Sequence, residues 1–269
     1  MSNFLQNNDA ATNQIQNSSH VVIGETRYVK LTSFRSKWLT VLLSNEGAPG
    51  KPVSICEYTK TIIINSQNGY TFFKIADGNS EYVGKVACIS DDNVDKYLLK
   101  NPPSAAKATL LVQYSNMETR TKSLPRRDPG YGGHRDEILD QQWGVASIPG
   151  NSSIKVTLNS VWGQKYSPIP RGVHRIMAPE NPHNSNMTDF YVKYAKDHGV
   201  GEVIADQVWF PIELKGTSGN SSRYVHIGNL SEGCVTVYDL NRWSDVYVFL
   251  ISHRIPETRG KYVGYLEVK

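Results

Sequence analysis

The sequence predicts a mainly β protein made of two β-rich units. Three observations carry this expectation. Short runs of β-branched and aromatic residues recur along the chain, separated by Gly, Asn, Asp and Pro clusters. Helical periodicity is nearly absent from the first half. A turn-rich stretch, Leu124–Gly133, holds two Pro and three Gly within ten residues and marks a boundary.

Composition narrows the class. The 269 residues carry 29 basic and 25 acidic side chains, a net charge of +4, and 39% hydrophobic residues. That is globular composition. Lys and Arg are scattered among acids, so no nucleic-acid partner is expected. No apolar run approaches the roughly 20 residues that span a bilayer. The start, MSNFLQNNDAATNQIQNSSH, has neither a basic n-region nor an apolar h-region, so a Sec-type signal is not expected. Cys56, Cys88 and Cys234 are odd in number and far apart, which excludes a disulfide framework or a zinc spacing.

Residues 1–19 are rich in Asn, Gln and Ser and read as a flexible arm. An N-terminal β domain follows over 20–123. Its strands are expected at Tyr28–Leu31, Trp38–Leu43, Val53–Tyr58, Thr61–Ile64, Tyr70–Ile75, Tyr82–Ile89 and Ala108–Tyr114. The run Ile62-Ile63-Ile64 suits a strand buried on both faces. Tyr28–Leu39 and Phe73–Val83 are alike: strand, polar turn, then an aromatic-aliphatic pair. A repeat spaced about 44 residues apart suggests a trefoil-like lobe, with a sandwich as the alternative.

A linker at 124–136 leads into a second domain over 137–269. Strands are expected there at Gln142–Ile148, Ser153–Ser160, Gly172–Met177, Gln207–Leu214, Arg223–Ile227, Cys234–Tyr238 and Gly264–Val268. Two segments read as helices. Thr188–Asp197 places Phe190, Tyr194 and Ala195 on one side behind a polar cap. Leu240–Ser252 spaces Leu240, Trp243, Val246, Tyr247 and Leu250 by three and four behind Asp239, although its VYVFLIS stretch also suits a strand.

The chemistry concentrates in Arg223-Tyr-Val-His226-Ile-Gly228-Asn-Leu-Ser231-Glu-Gly233-Cys234. A nucleophilic cysteine needs a base or cation, amide donors for an oxyanion, and exposure. His226 supplies the base, and Gly233 permits the sharp turn that aims amides. The alternative is a buried structural cysteine beside an edge-strand histidine.

This ordered set resembles the active-site signature of the L,D-transpeptidase catalytic domain, the YkuD-like family. Tyr166-Ser-Pro-Ile-Pro-Arg-Gly172-Val-His174-Arg-Ile176 resembles the segment leading into that family's catalytic sheet. Trp209-Phe-Pro-Ile-Glu-Leu214 resembles the strand before the His strand, and Asp239-Leu-Asn-Arg-Trp243 the start of the post-cysteine helix. The resemblance spans roughly residues 137–255. It departs at Glu232, where the family has His, and at Thr236, where it often has Arg or Asn. The short His226-to-Cys234 spacing is similar to that of compact toxins exported between bacteria.

The resemblance implies an L,D-transpeptidase-like catalytic domain acting on peptidoglycan stem tetrapeptides, with transpeptidase, exchange or carboxypeptidase outcome. Cys234 is then the nucleophile and His226 the base. Gly233 and Cys234 amides hold the oxyanion, and Ser231 orients the loop or His226. Arg223, Tyr224, Gly228, His174 and Trp209 are the expected substrate-binding residues. No metal or other cofactor is expected. The wall substrate and the missing leader together imply synthesis in the bacterial cytoplasm and specialised delivery to the periplasm or wall. The partners are then an immunity protein or a component of the delivery machinery, or the protein is a phage lysis factor.

Two other readings stand beside it. Fifteen Tyr and five Trp suit a non-enzymatic carbohydrate-binding or phage-structural protein with a degenerate site. A papain-like hydrolase is disfavoured because His226 precedes Cys234. Of the remaining histidines, His183 and His198 read as solvated and His253 as a helix-end group. Cys56 and Cys88 read as core. The polar loop 178–189 is the expected lid.

Overall fold

The structure, a computed structural model, describes residues 21–32, 35–122, 138–160 and 167–269, with the side chains of 115–122 and 151–152 left aside. The expected arm, and the connector itself, lie outside the described residues. The molecule is mainly β: about 43% of it is strand, 14% is helical, and the strands form two sheets.

The first sheet is antiparallel throughout. It holds β1 (Thr26–Val29), β2 (Trp38–Asn45), β3 (Ala48–Cys56), β4 (Lys60–Gln67), β5 (Tyr70–Ile75), β6 (Val86–Ser90) and β7 (Leu98–Leu99), with α1 (Asp91–Tyr97) between the last two. Their spatial order is β3-β2-β6-β5-β4-β1-β7. Its tight hairpins follow from turn chemistry. Asn68 and Gly69 both have positive φ (53° and 77°) between the paired Gln67 and Tyr70. Glu46 and Gly47 do the same at 50° and 84° between Asn45 and Ala48. Both are two-residue loops of the kind whose twist matches that of the strands. Leu39, Val41, Ile55, Ile63, Phe73 and Ile75 build one core on this sheet.

Two expectations fail here. Ile64 is 38% exposed, so β4 is buried on one face only. The two similar stretches are not equivalent, because Tyr82 and Val83 lie in a turn where the first copy has strand β2.

The second sheet closes into a barrel of eight strands. In chain order these are β8 (Ala108–Lys122), β9 (Ile138–Ile148), β10 (Asn151–Asn159), β11 (Gly172–Met177), β12 (Phe210–Glu213), β13 (Tyr224–Ile227), β14 (Val235–Val237) and β15 (Tyr262–Val268). Around the barrel they run β10-β14-β13-β12-β11-β15-β8-β9. Closure removes exposed strand edges. Two neighbouring pairs are parallel, β13 with β14 and β15 with β8. The sheets therefore divide before Ala108 rather than at 124–136. The strand that begins at Ala108, which its sequence position assigns to the N-terminal unit, pairs with β9 and β15.

α2 (Asp189–Asp197) and α3 (Trp243–Ile251) cover the barrel, the latter preceded by a 3₁₀ turn at Leu240–Arg242. α3 buries Trp243, Val246, Tyr247, Leu250 and Ile251, the face that its spacing predicts. Asp239 caps that turn without a side-chain bond to it. Its carboxylate instead accepts from the Lys155 amide at 2.7 Å. His253 ends the helix as expected, with Nδ1 on the Phe249 carbonyl at 2.7 Å.

The sheet and the barrel share polar contacts. Glu57, 2% exposed, accepts from the Leu31 amide at 2.7 Å and from the Tyr247 hydroxyl at 2.6 Å. Arg254 donates to the Glu57 carbonyl at 3.2 Å. Asn79 donates to the Ala178 carbonyl at 3.0 Å, at the start of the expected lid. Trp38 and Cys56, on the sheet, are buried within the barrel's apolar cluster. Cys88 is also fully buried.

Candidate functional site

The site is set by the parallel pairing of β13 and β14. Val225 opposes Val235, His226 opposes Thr236 and Ile227 opposes Val237. Val225, Ile227, Val235 and Val237 join the apolar cluster. Side chains alternate along strands, so His226 and Thr236 share the other face. Cys234 stands one residue before β14 and two before Thr236.

The turn before Cys234 is tightly built. Gly233 has φ 87°, and a side chain there would overlap the Ser167 carbonyl oxygen and come within 2.9 Å of Arg223 Nε. Only glycine fits both the backbone and the space. The Ser231 hydroxyl braces the turn. It accepts from the Cys234 amide at 2.9 Å and donates to the Cys234 carbonyl at 2.9 Å. Both bonds tie Ser231 to the backbone of the loop itself. The Cys234 amide is thereby occupied, and serving an oxyanion requires it to leave Ser231.

Sequence reasoning missed the layer behind this turn. The Ser231 amide donates to Ser160 Oγ at 3.1 Å, and Ser160 donates to Gln141 Oε1 at 3.1 Å. Both residues are buried. A lone Ser 71 residues upstream and a lone Gln on β9 carry no local signal of this contact.

The thiol is not activated at rest. Cys234 is 8% exposed, and burial pushes its pKa up to about 11, against smaller opposing effects from the Tyr224 amide and the Arg223 charge. The expected exposure is absent in this state.

His226 is 7% exposed and held on three sides. Nδ1 lies 2.7 Å from the Ile227 carbonyl, Nε2 lies 3.1 Å from the Thr236 hydroxyl, and the ring stacks on Trp209 at 4.0 Å between centroids. On its other face Trp209 stacks with His183, also at 4.0 Å. Tyr224 meets both Trp209 and His183 edge-on. Its hydroxyl accepts from Asn220 at 2.9 Å.

The sequence suggests a solvated loop for His183, and the structure corrects this. Its ring lies half-buried on Trp209, and burial drives its pKa from 6.5 down to about 4. The neutral ring is favoured in the fold. Its contribution to stability is complete above pH 6.5 and is lost as pH falls through 4. We expect urea unfolding to show about 2 kcal/mol less stability at pH 4 than at pH 7 from this group, allowing for its partial exposure. His183→Phe, which stacks but does not titrate, should flatten that part of the curve.

The remaining expected residues divide. Arg223, 8% exposed, lies beside the cysteine turn and donates to the Ser167 carbonyl at 3.1 Å. Gly228 has φ 152°, and a side-chain carbon there would come within 3.2 Å of Thr236 and 3.3 Å of Tyr191. His174 joins neither group. Its Nδ1 accepts from the Lys215 amide at 3.0 Å and its Nε2 donates to the Pro170 carbonyl at 2.8 Å. Both ring nitrogens serve the main chain, and the residue is a structural strut. His198 is exposed, as expected.

The chain matches no family model, no curated protein and no solved structure. Among the described residues, no group of three His, Cys, Asp or Glu is placed to hold a metal ion. Among them, too, no helix is long and apolar enough to cross a membrane.

The arrangement therefore offers a thiol on a glycine turn, a guanidinium beside it, and an imidazole one strand away. Those are the groups that acyl transfer through a cysteine requires. In this state the thiol is protonated and the imidazole is engaged with Thr236.

Proposed function

We propose that this protein is a cysteine enzyme acting on peptidoglycan stem peptides by L,D-transpeptidase, exchange or L,D-carboxypeptidase chemistry. The observation that supports it is the β13–β14 register, which sets His226 opposite Thr236, two residues after Cys234. The thiolate of Cys234 attacks the amide linking the diaminopimelate L-centre to the terminal D-residue. His226 takes the thiol proton and returns it to the leaving amine. Arg223, already beside the cysteine turn, holds a stem carboxylate. Because the resting thiol has its pKa pushed up to about 11, substrate entry must open the Ser231 turn and bring the imidazole to the sulfur. Delivery to the periplasm or wall, as an antibacterial effector or lysis factor met by an immunity or delivery partner, completes the reading.

A second reading is favoured by the same buried thiol: a non-enzymatic wall- or carbohydrate-binding protein whose cysteine is structural. One experiment separates the two. Purified muropeptides are incubated with the native protein and with Cys234→Ala, and the products are weighed by mass spectrometry. We expect loss or exchange of one terminal D-residue with the native protein and none with the variant. Unchanged muropeptides with both proteins would establish the binding reading instead.

A further inference from the structure

We propose that Thr236 is a positioning residue for His226, a hydroxyl that turns between two acceptors as the imidazole gains and loses its proton. The catalytic consequence rests on the enzyme reading above; the hydroxyl geometry does not.

Three contacts carry the inference. A carbonyl only accepts, so the Nδ1 that faces the Ile227 carbonyl at 2.7 Å bears a proton. The neutral ring is therefore the Nδ1–H tautomer, with its lone pair on Nε2. Thr236 Oγ1 lies 3.1 Å from that Nε2 and 3.2 Å from the Leu230 carbonyl oxygen. One hydroxyl has one proton and donates to one of these at a time.

The two orientations match the two states of the ring. With His226 neutral, the hydroxyl donates to Nε2. Turning it to Leu230 releases the Nε2 lone pair to take a proton. In the proposed reaction that proton comes from Cys234: the S–H bond breaks, the sulfur keeps the electron pair, and an Nε2–H bond forms. When the ring returns from the sulfur to its resting place, Thr236 Oγ1, now donating to Leu230, accepts from the new N–H. The imidazolium then has an acceptor on each nitrogen, Ile227 and Thr236. The neutral ring leaves the Leu230 carbonyl without this donor, so Thr236 favours the charged form.

The strand register fixes the partner. Thr236 opposes His226 directly, and Thr236 is fully buried, so water does not substitute for it. Gly228 allows the close approach, because a side chain there would press on Thr236 Cγ2 at 3.2 Å. Other titratable groups surround the ring: His183 across Trp209, Tyr224 on β13, and Cys234 with the charges of Arg223 and Glu232 that act on it. They are common to all the variants below.

The test reads the ring directly. Nitrogen NMR of ¹⁵N-histidine protein gives the tautomer and titration of His226 in the native protein, Thr236→Val and Thr236→Ser. We expect the Nδ1–H tautomer in the native protein. His226 should titrate at lower pH in T236V and at its native pH in T236S. An Nε2–H tautomer in the native protein, or an unmoved titration in a folded T236V, overturns the proposal. If T236V does not fold, the native tautomer still decides. Muropeptide turnover is measured alongside, with a loss of about tenfold or more expected in T236V and rescue in T236S. A shifted titration in a protein that leaves muropeptides unchanged would sink the enzyme reading and leave the hydroxyl switch standing.

Discussion

Replacing Gly264 with alanine is expected to destabilise the fold by about 3 kcal/mol or more, because the barrel has no room for one added carbon. Gly264 lies on β15, opposite Ala108 on the parallel β8 and opposite Ile176 on β11. A side-chain carbon there would overlap the Ala108 carbonyl oxygen and approach the carbonyl carbon to 2.7 Å. Both are main-chain atoms of the strand that helps close the barrel, so relief means parting the strands. The backbone at Gly264 is not left-handed, and the cost is therefore steric alone. Gly216 is the complementary control. Its φ is 85° with nothing within 4 Å of an added carbon, so alanine there pays only the conformational penalty of about 1 kcal/mol. Urea midpoints of the two variants, compared with the native protein, check the expectation. Equal losses at both positions would show that the β8–β15 contact yields easily.

Gly233→Ala combines both penalties beside the cysteine. The φ of 87° and the overlap with the Ser167 carbonyl act together, and a loss of about 3 kcal/mol is expected. The variant should also move Cys234. Shifting the turn draws the Cys234 amide off the Ser231 hydroxyl, which now holds it at 2.9 Å. Under the proposed chemistry, displacement by an ångström lowers turnover about a hundredfold. Muropeptide conversion and urea unfolding, measured on the same preparation, separate the effects. Full turnover in a destabilised variant would mean that the turn geometry does not matter to the reaction.

Strands were legible where turn residues and β-branched runs coincide. The Asn68-Gly69 hairpin and the Gly172–Met177 strand lie where the local pattern sets them. α1 was not legible, because Asp91–Tyr97 buries only Val94 and a single apolar residue has no period. The place of residues 108–122 was hidden for a different reason. Its partner across the parallel pair is the strand at 262–268, and no local feature announces a contact so distant in sequence.

The candidate site divides along the same line. Arg223, Ser231, Gly233 and Cys234 lie within twelve consecutive residues, and the structure brings them together around one turn. His183, Ser160 and Gln141 reach the site from remote stretches of chain. Their roles come from stacking and buried hydrogen bonds that spacing does not encode. His174 misled because its position on the strand after Gly172 suggested a cleft, whereas the main chain claims both its nitrogens.

The parallel pairing of β8 with β15 also sets an order of events during synthesis. All seven strands of the antiparallel sheet lie before residue 100, so their pairing can begin while the ribosome is still at work. Residues 108–122 emerge soon afterwards, yet one of their two partners is the stretch 262–268, translated some 150 codons later. Until then that strand presents a bare edge, the kind of surface that chaperones cover. Slow maturation of the barrel, with an early-formed sheet waiting beside it, follows from this one contact.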